Sequence, residues 1–537
     1  MIDSRKNCVI YAELKNDAEK LNYWFNYTQK KFLHNIDTFY YSVKLDGNFT
    51  KNSKDFEVLQ FRHYIDKLDP GVVDYNIPVD FGQSCQLNYI PLSFAGFYDV
   101  CFECPEYYDI FMSTQVPAAM SDADESVTSE IIVQIRSCLL WELGVVKAFE
   151  QSFDCVKKIC EFFKFTIADV KENRIDYCWH TNYLQNPETY FRIDNMTEMC
   201  VTRLGRSNND RGCRINYEYV MEPGKTYEND YISLGKRSQK CFLRIYLKSK
   251  EVIQMQYKPW FLKVWLFHKL INRYDFYVYE ELYKYGKWQY LDVCRLKFYL
   301  EYGADDNYKR EIDLLINTDR IDFERVEYLA DLLTPRVHLI INVEYQTTRK
   351  HSKNYILLPL HDNNKYGVCK RIYSYFDNHR LITEYLTHEV FRLIDTSDEQ
   401  SNRSRADYNA FWSALRRTKL VDVAIPNADL SLYRDYSSNM SGEMVKKRAA
   451  NAIVTHSLYR NGLNDRSVID DAIDFIVRLN DNDMHDMLNY KAKKSRLLNS
   501  TEIGKKEVPA DCQSGRYTII DNLTGEIIVS GGVSDDN

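Results

Sequence analysis

The sequence predicts an α+β protein with a central, largely antiparallel sheet, flanking helices and a C-terminal helical domain. Strand and helix patterns alternate through the middle of the chain, without the Gly-rich strand-to-helix turns of nucleotide-binding doubly wound folds. Beyond residue 385, helical patterns follow one another. A chain of 537 residues corresponds to two to four domains at roughly 100–200 residues each.

The chain divides into four segments where its character changes. The helical segment is partly basic, because Met487–Lys506 holds six Lys or Arg against one Glu. The last residues are polar and too poor in apolar side chains to form a core. The segments are an N-terminal segment of unassigned role (1–60), an α+β domain (61–385), a helical, partly basic domain (386–500) and a polar tail (501–537).

The first half of the α+β domain begins with short strands and continues as strand, helix and strand. Gly and Pro interrupt the strand patterns between residues 61 and 120, and an acidic loop follows at Ser121–Glu130. Ile131–Ile135 is typical of a short buried strand. Apolar residues at helical spacing predict a helix over Leu139–Phe165, and Arg174–Asn182 is typical of a strand.

The second half of the domain is mainly helical until its last strand. Helices are predicted over 259–272 and 308–333, and Val337–Lys350 is typical of a strand with a basic end. No apolar run approaches the ~18 residues that a membrane span needs, so no membrane partner is predicted. The absence of a P-loop argues against an ATP-driven enzyme. Fourteen cysteines without paired CxxC half-sites predict reduced, buried thiols.

The strongest charge asymmetry lies in Tyr231–Lys263. This segment holds eight Lys or Arg against the single acid Glu251, in a chain of net charge −7. Such a concentration of cations favours phosphate, because neutralising phosphates releases counterions. Positions 244, 246 and 248 share one face of a strand, which sets Tyr246 between Arg244 and Lys248. The same composition is also typical of an exposed strand with solvated basic side chains.

A second polar pattern lies in Arg174–His180, RIDYCWH. On a strand, Asp176, Cys178 and His180 share one face, while Tyr177 and Trp179 point to the other. Asp176 and His180 would lie about 13 Å apart along a straight strand at ~3.3 Å per residue. Binding one metal ion therefore requires a bulge or bend. The alternative is a polar pair that neighbouring strands satisfy.

These two segments resemble the replication initiation factor family, which comprises rolling-circle plasmid and phage initiators and the relaxases of some conjugative transposons. RIDYCWH is similar to the family's R-I-D-x-x-x-D signature, and LGKRSQKCFLRIYLKSKE is similar to its L-G-S-R-x-S…R-I-Y-x-K-x-x-E segment. Val343–Lys350 is similar to a later family segment, so the resemblance covers roughly residues 130–360. The chain departs from the family at His180, which replaces an acid, at Leu247, where Asp or Asn is usual, and in an additional charged stretch between the two motifs.

The resemblance implies a rolling-circle-initiator-like fold and a DNA nickase and strand transferase. Tyr246 would attack a phosphodiester, leaving a 5′-phosphotyrosyl link and a free 3′-OH. Only about one tyrosine in a thousand is ionised at pH 7, and Arg244 and Lys248 are expected to lower the pKa of Tyr246. Exchanging one phosphodiester for another needs no ATP.

The resemblance also implies a divalent metal ion, Mg²⁺ or Mn²⁺, that polarises the scissile phosphate. Asp176 and His180 are the expected ligands, and Glu142 and Glu251 are the candidates for a third. A histidine ligand favours Mn²⁺ over Mg²⁺. Polar and basic residues beside the two later motifs are expected to contact DNA: Lys236, Arg237, Ser238, Lys240, Arg349 and Lys350.

The partners and location follow from the same resemblance. We expect origin DNA, both duplex and single strand, as the substrate, and by family analogy a homodimer that works with the host helicase and polymerase. The location implied is the cytoplasm of a bacterial host. Three alternatives remain open. The first is a conjugative relaxase of the same chemistry, and the second is a non-catalytic DNA-binding regulator on the same fold, with which the departures at His180 and Leu247 are compatible. The third is an unrelated structural protein, which requires the order of the motifs to be coincidental.

Overall fold

The computed structural model describes most of residues 8–421 and two short strands near the C-terminus. Its described ranges are 8–47, 49, 53–68, 77–83, 85–90, 94, 98–114, 129–202, 215–220, 228–234, 241–254, 258, 260–318, 320–348, 366–397, 403, 405–421, 518–520 and 527–530. At positions 188, 193, 194, 197, 215–220, 228–231, 518–520 and 527–530 only the backbone is described.

The core of the described structure is one eleven-stranded sheet in which every neighbouring pair is antiparallel. The strand order is β2-β3-β4-β5-β6-β1-β7-β12-β11-β10-β9. This sheet confirms the predicted α+β class with a largely antiparallel sheet. The strands are β1 (Phe32–Leu45), β2 (Ile77–Asp80), β3 (Gln86–Ile90), β4 (Val100–Cys104), β5 (Tyr108–Met112), β6 (Ile131–Ile135), β7 (Ile167–Thr181), β8 (Cys200–Thr202), β9 (Ile215–Val220), β10 (Glu228–Leu234), β11 (Cys241–Leu247), β12 (Ile341–Thr348), β13 (Phe391–Leu393), β14 (Thr518–Ile520) and β15 (Ile527–Ser530).

The centre of the sheet is the long pair β1 and β7. Strand β1 is buried along nearly its whole length, as is typical of a strand covered on both faces. The pairing of β1 with β7 is irregular, because Ile36 lies opposite Tyr177 and Thr38 opposite Asp176. Asp37 is therefore an extra residue, a β-bulge. The segment 1–60, to which the sequence assigned no role, thus supplies the central strand.

Helices cover both faces of the sheet. One face packs on α5 and the helices after residue 366, and the other packs on α1, α4 and α8–α13. The helices are α1 (Val9–Glu13), α2 (Ala18–Trp24), α3 (Phe56–Leu68), α4 (Ser137–Leu143), α5 (Val145–Phe163), α6 (Pro187–Tyr190), α7 (Ile193–Met199), α8 (Lys248–Gln254), α9 (Trp260–Phe267), α10 (Arg273–Tyr285), α11 (Leu291–Tyr302), α12 (Asp306–Ile316), α13 (Phe323–Leu333), α14 (Lys370–Asp377), α15 (His379–Tyr385) and α16 (Ala410–Arg416).

Two predicted elements differ in their bounds. The helix predicted over Leu139–Phe165 is divided into α4 and α5 at Gly144, whose φ of 78° is favourable for glycine but not for other residues. The strand that carries Tyr246 ends at Leu247, so Lys248 begins α8 rather than continuing the strand. Among the described cysteines all are free and nearly all are buried, as expected.

The chain from residue 386 to 421 packs on the sheet. A π-helical turn (Leu386–Val390) leads into β13, which pairs with β8, and Phe391 and Trp412 are buried in the core of the first face. The helical patterns predicted beyond residue 421 lie outside the described residues, so the proposed domain boundary at 385/386 stays a prediction. In the described part of the chain, no helix is both long and apolar enough to cross a bilayer.

Candidate active site

The register of β7, β12 and β11 assembles a polar cluster on one face of the sheet. Tyr246 lies opposite Asn342, which lies opposite His180. In the next row, Arg244 lies opposite Glu344. Because directly opposite residues in antiparallel strands point to the same face, these side chains are neighbours across strands about 4.8 Å apart.

The Tyr246 hydroxyl uses its full hydrogen-bonding capacity within this cluster. It donates to Oε2 of Glu344 at 2.9 Å. It accepts from Nζ of Lys248 at 3.1 Å and from Nδ2 of Asn342 at 2.9 Å. A phenol has one donor and two acceptor positions, and all are used here. The Tyr246 side chain is half-buried, and a carboxylate, an ammonium and an amide surround its oxygen rather than an apolar pocket.

Glu344 is a buried carboxylate that stays ionised. Burial alone would raise the pKa of its carboxyl, but Arg244, which forms an ion pair with Oε1, and Lys248 hold this pKa below its usual value. An ionised carboxylate at 2.9 Å from a phenol is placed to accept the phenol's proton.

Burial raises the pKa of Tyr246, whereas the sequence predicted that it would be lowered. Removal from water, together with the charges of Glu251 and Glu344, raises the pKa of the phenol well above its usual value. Arg244 and Lys248 act in the lowering direction but do not outweigh the burial. The prediction that the two cations would lower this pKa is therefore wrong in its net direction. At neutral pH the phenol keeps its proton, and attack by its oxygen needs a base.

Lys248 places a positive charge 3.1 Å from the phenol oxygen and is fully buried. Its Nζ lies 2.7 Å from Oε2 of Glu251 and 3.4 Å from Oδ2 of Asp37. Burial alone would lower the Lys248 pKa, but Asp37 and Glu251 raise it well above its usual value, so the ammonium stays charged.

A group of three potential metal ligands adjoins Lys248. The ligand atoms of Asp37, Cys178 and His180 lie within 4.8 Å of one another, and among the described residues they are the only three such side chains grouped this closely. Asn35 lies opposite Cys178, and Asp37, two residues further along β1, therefore points to the same face as Cys178 and His180. By spacing alone this group could hold a metal ion.

Of the four predicted metal ligands, only His180 belongs to this group. Asp176 is held by Arg174, whose Nε and Nη2 donate at 2.9 Å and 2.5 Å to its two oxygens. Glu251 pairs with Lys248. Glu142, on α4, lies near Tyr107, whose pKa rises through burial and through this carboxylate. The structure does not bring these three carboxylates to His180.

The group fits the expected Mg²⁺ or Mn²⁺ poorly. Those hard ions prefer oxygen ligands, and the group offers one carboxylate, one thiol and one imidazole. The Cys178 thiol donates to the carbonyl oxygen of Asn35 at 3.2 Å. The Trp265 indole N–H, which can only donate, gives its hydrogen to Nδ1 of His180 at 3.2 Å. Neutral His180 therefore carries its proton on Nε2 and has no lone pair there for a metal.

Asp176 nevertheless lies beside the tyrosine cluster. Arg244 and Glu344 both influence the Asp176 carboxyl, whose pKa is raised by burial against the opposing charge of Arg174. The ion pairs Arg174–Asp176 and Arg244–Glu344 are therefore electrostatically coupled, and the second pair contacts Tyr246. The six residues expected to contact DNA (Lys236, Arg237, Ser238, Lys240, Arg349 and Lys350) lie outside the described residues.

Sequence reasoning did not find Asp37, Asn342 or Glu344. Asp37 and Glu344 are each the only acid in a strand pattern without Lys or Arg, FLHNIDTFYY and LIINVEYQ. A charge in a strand buried on both faces must be paired, and this is a signal that the sequence contains. Nothing local indicates that both meet the Tyr246 segment, because strand order is not a local property.

A pocket of about 230 Å³ adjoins the end of β11. Tyr246 is among its lining residues, with Ile245 and Leu247 beside it. The opposite wall comes from the helical side and includes Trp288 and Arg336. The pocket thus combines apolar side chains, an indole and a guanidinium with the carboxylates of Asp292, Glu327 and Asp331.

Comparisons with known proteins place this chain in no family. No protein-family model matches the sequence, and no curated protein matches it. The solved structure of a rolling circle replication initiator protein from Geobacillus stearothermophilus is similar over 73% of this chain and 99% of that chain, with 11% sequence identity and a TM-score of 0.29. A likeness this weak carries no argument about fold or chemistry, so both are argued from this chain alone.

Proposed function

We propose that the protein is a DNA nickase and strand transferase that uses Tyr246 as its nucleophile. One observation carries the proposal: the Tyr246 hydroxyl is hydrogen-bonded at once to an ionised carboxylate, Glu344, and to a charged ammonium, Lys248. A nucleophile, a base and a cation at these distances are the parts that tyrosine attack on a phosphodiester requires.

The reaction assigns each group a role. The Tyr246 oxygen forms a bond to phosphorus while its proton moves to Oε2 of Glu344. Lys248 stabilises the negative charge that develops on the phenol oxygen. The bond from phosphorus to the 3′ oxygen breaks, and that oxygen takes a proton from solvent. The products are a 5′-phosphotyrosyl link and a free 3′-OH, and the number of phosphodiesters is unchanged, so no ATP is needed.

Arg244 acts as a positioning residue in this scheme. Its ion pair with Oε1 keeps Glu344 charged and leaves Oε2 for the phenol. Its guanidinium also lies 5.6 Å from the centre of the Tyr246 ring, which is within cation–π range. Both contacts support the orientation of the tyrosine toward its base.

DNA as the substrate is supported by the motif resemblance and by the cations of Tyr231–Lys263 other than Arg244, Lys248 and Lys258, which internal carboxylates balance. We propose initiation of rolling-circle replication, in which the free 3′-OH primes a polymerase; a conjugative relaxase would use the same chemistry. Origin DNA, a homodimer, the host helicase and polymerase, and a cytoplasmic site of action all follow from the family analogy. The Mg²⁺ or Mn²⁺ of that analogy has no step here, because the nearest ligand group does not fit it.

A non-catalytic DNA-binding regulator is the second candidate. It is favoured by the raised pKa of Tyr246 and by the saturation of its hydroxyl, because a phenol held in three hydrogen bonds is also a stable structural element. This candidate predicts DNA binding without any change in DNA topology.

Nicking of supercoiled DNA separates the two candidates. Supercoiled plasmid carrying the sequence around the gene is incubated with the protein, with Mg²⁺, with Mn²⁺ and with EDTA. We expect open circles with covalently bound protein, and we expect Tyr246→Phe to abolish the adduct. Tyr277→Phe is the matched control, because the Tyr277 hydroxyl also donates to a glutamate, Glu301, at 2.8 Å, but lies on α10 away from the cluster. An undiminished adduct in Tyr246→Phe contradicts the proposal.

A further inference from the structure

The buried charges around Tyr246 balance without an added ion. Three carboxylates face this cluster (Asp37, Glu251 and Glu344), and the cations beside them are Lys248, Lys258 and Arg244. Arg174 and Asp176 form a further neutral pair. A divalent ion would leave this interior with an excess of two positive charges, which is costly where water is excluded.

Lys248 already occupies the position of a catalytic cation. Its ammonium lies between two carboxylates and the nucleophile, 2.7 Å from Glu251, 3.4 Å from Asp37 and 3.1 Å from the phenol oxygen. An ion bound to Asp37 would have to share that carboxylate with the ammonium. Repulsion between the two cations then weakens metal binding at the one oxygen ligand that the group offers.

The polar atoms in and beside the group are poorly suited to a metal ion. Oδ1 of Asp37, Oδ1 of Asn342 and Nε2 of His180 are buried and accept or donate no hydrogen bond among the described residues. Two of these atoms are acceptors, and the third is a donor because Trp265 fixes the tautomer of His180. A cation beside Nε2 of His180 would therefore meet an N–H rather than a lone pair.

We infer that Lys248 supplies the positive charge beside the nucleophile, so that strand transfer by Tyr246 requires no divalent metal ion. The inference rests on the proposed function and departs from the metal dependence that the motif resemblance implies. Lys248 is a catalytic residue in this account, because its ammonium touches the reacting oxygen. The reaction is the one written above, with the phenol proton passing to Glu344 and no further reactant.

The first test measures adduct formation and metal binding separately. Protein freed of metal is mixed with supercoiled DNA in EDTA, in Mg²⁺ and in Mn²⁺, and the covalent adduct is quantified. Binding of Mn²⁺ to the protein without DNA is followed by electron paramagnetic resonance. We expect equal adduct in all three solutions and no stoichiometric Mn²⁺ binding. Adduct that forms only with Mg²⁺ or Mn²⁺, or stoichiometric Mn²⁺ binding, overturns the inference and leaves the nickase proposal intact.

The second test removes the ammonium. Lys248→Met replaces the ammonium by an unbranched apolar side chain one atom shorter, and Lys248→Arg keeps the charge. Circular dichroism and thermal unfolding establish that each variant is folded. We expect Lys248→Met to lose about 10²–10³-fold in the rate of adduct formation, with no recovery in Mn²⁺, and Lys248→Arg to recover part of it. Full activity of folded Lys248→Met overturns the inference. Absence of adduct from wild-type protein under every condition defeats the nickase proposal and this inference together.

Discussion

The Tyr246 hydroxyl donates to Oε2 of Glu344 at 2.9 Å, joining residues 98 positions apart in the chain. The contact is diagonal across the β11–β12 ladder, in which Tyr246 itself lies opposite Asn342. The antiparallel register therefore sets a buried carboxylate beside the tyrosine that the motif resemblance singles out. The account of function depends on this contact.

Glu344→Gln tests the proposed base. Glutamine keeps the shape of the side chain but cannot take the phenol proton, so we expect adduct formation to slow by about 10²–10⁴-fold. The effect is measured as the rate of adduct formation on an intact oligonucleotide that contains the nicking site. Glu301→Gln, which changes the carboxylate that accepts from Tyr277, serves as the control and should keep the wild-type rate. A wild-type rate in folded Glu344→Gln would remove Glu344 from the mechanism.

Asp176→Asn separates the structural role of Asp176 from the metal-binding role that the resemblance implies. The variant leaves Arg174 without its buried partner, so we expect the free energy of unfolding to fall by about 3–5 kcal/mol in urea denaturation. The double variant Arg174→Met with Asp176→Leu should recover most of that loss, because apolar replacement of a buried pair is often neutral. Wild-type stability together with lost Mn²⁺ binding in Asp176→Asn would instead support a metal ligand.

The protein is expected to lose stability in mild acid because His379 is buried in its neutral form. His34 donates from Nδ1 to the Cys178 carbonyl oxygen, so its Nε2 accepts the hydrogen of His379 Nε2 at 2.9 Å. Burial lowers the pKa of His379 to about 4 from 6.5. Between these values the unfolded chain binds more protons than the folded protein. The contribution of His379 to the free energy of unfolding is therefore fully present above pH 6.5. It is lost as the pH falls toward 4, by roughly 3 kcal/mol.

Urea unfolding across that pH range, for wild type and His379→Gln, measures the contribution of His379. The glutamine amide can still donate to His34 but does not titrate. The variant should therefore lose less stability on acidification than wild type. Identical pH dependence in the two proteins, or a His379 pKa near 6.5 in an NMR titration, would contradict the assignment.

Trp288 is expected to contribute to binding of single-stranded DNA. It lines the pocket that adjoins Tyr246, and stacking of a base on an aromatic side chain is worth about 1–3 kcal/mol. Trp288→Ala should weaken binding of an oligonucleotide about 5–150-fold in fluorescence anisotropy. Tyr290→Ala is the matched control, because Tyr290 lies in the same short helical turn but stacks on Tyr285 outside the pocket lining. An equal loss of oligonucleotide affinity in both variants would indicate that the substitutions disrupt the turn, and would contradict stacking of a DNA base on Trp288.

The local parts of the fold were predictable from the sequence. Alternation correctly predicted that Cys178 and His180 lie on one face of β7 and that Tyr177 and Trp179 lie on the other. Tyr177 and Trp179 belong to the core on one side of the sheet, whereas Cys178 belongs to the core on the other side, where His180 stacks on Trp141. The strand Ile131–Ile135 was predicted with its exact bounds. Period and composition determine such features within a few residues, and the structure confirms them.

The candidate site was predictable only in part. Tyr246, Arg244 and Lys248 were expected to be neighbours and are, because they are close in sequence. Asp37 reaches the site through the pairing of β1 with β7, and Glu344 through the register of β11 with β12. The order of strands in a sheet cannot be read from local pattern, and the Tyr246 pKa depends on a burial that those strands create.

The most direct measurement is the identification of the amino acid that carries DNA after nicking. Adduct formed on supercoiled plasmid is digested with nuclease and protease, and the remaining nucleotide is located by tandem mass spectrometry. The account predicts a 5′-phosphoryl nucleotide on the hydroxyl of Tyr246. A nucleotide on any other residue, or nicked DNA with no modified peptide, would contradict it.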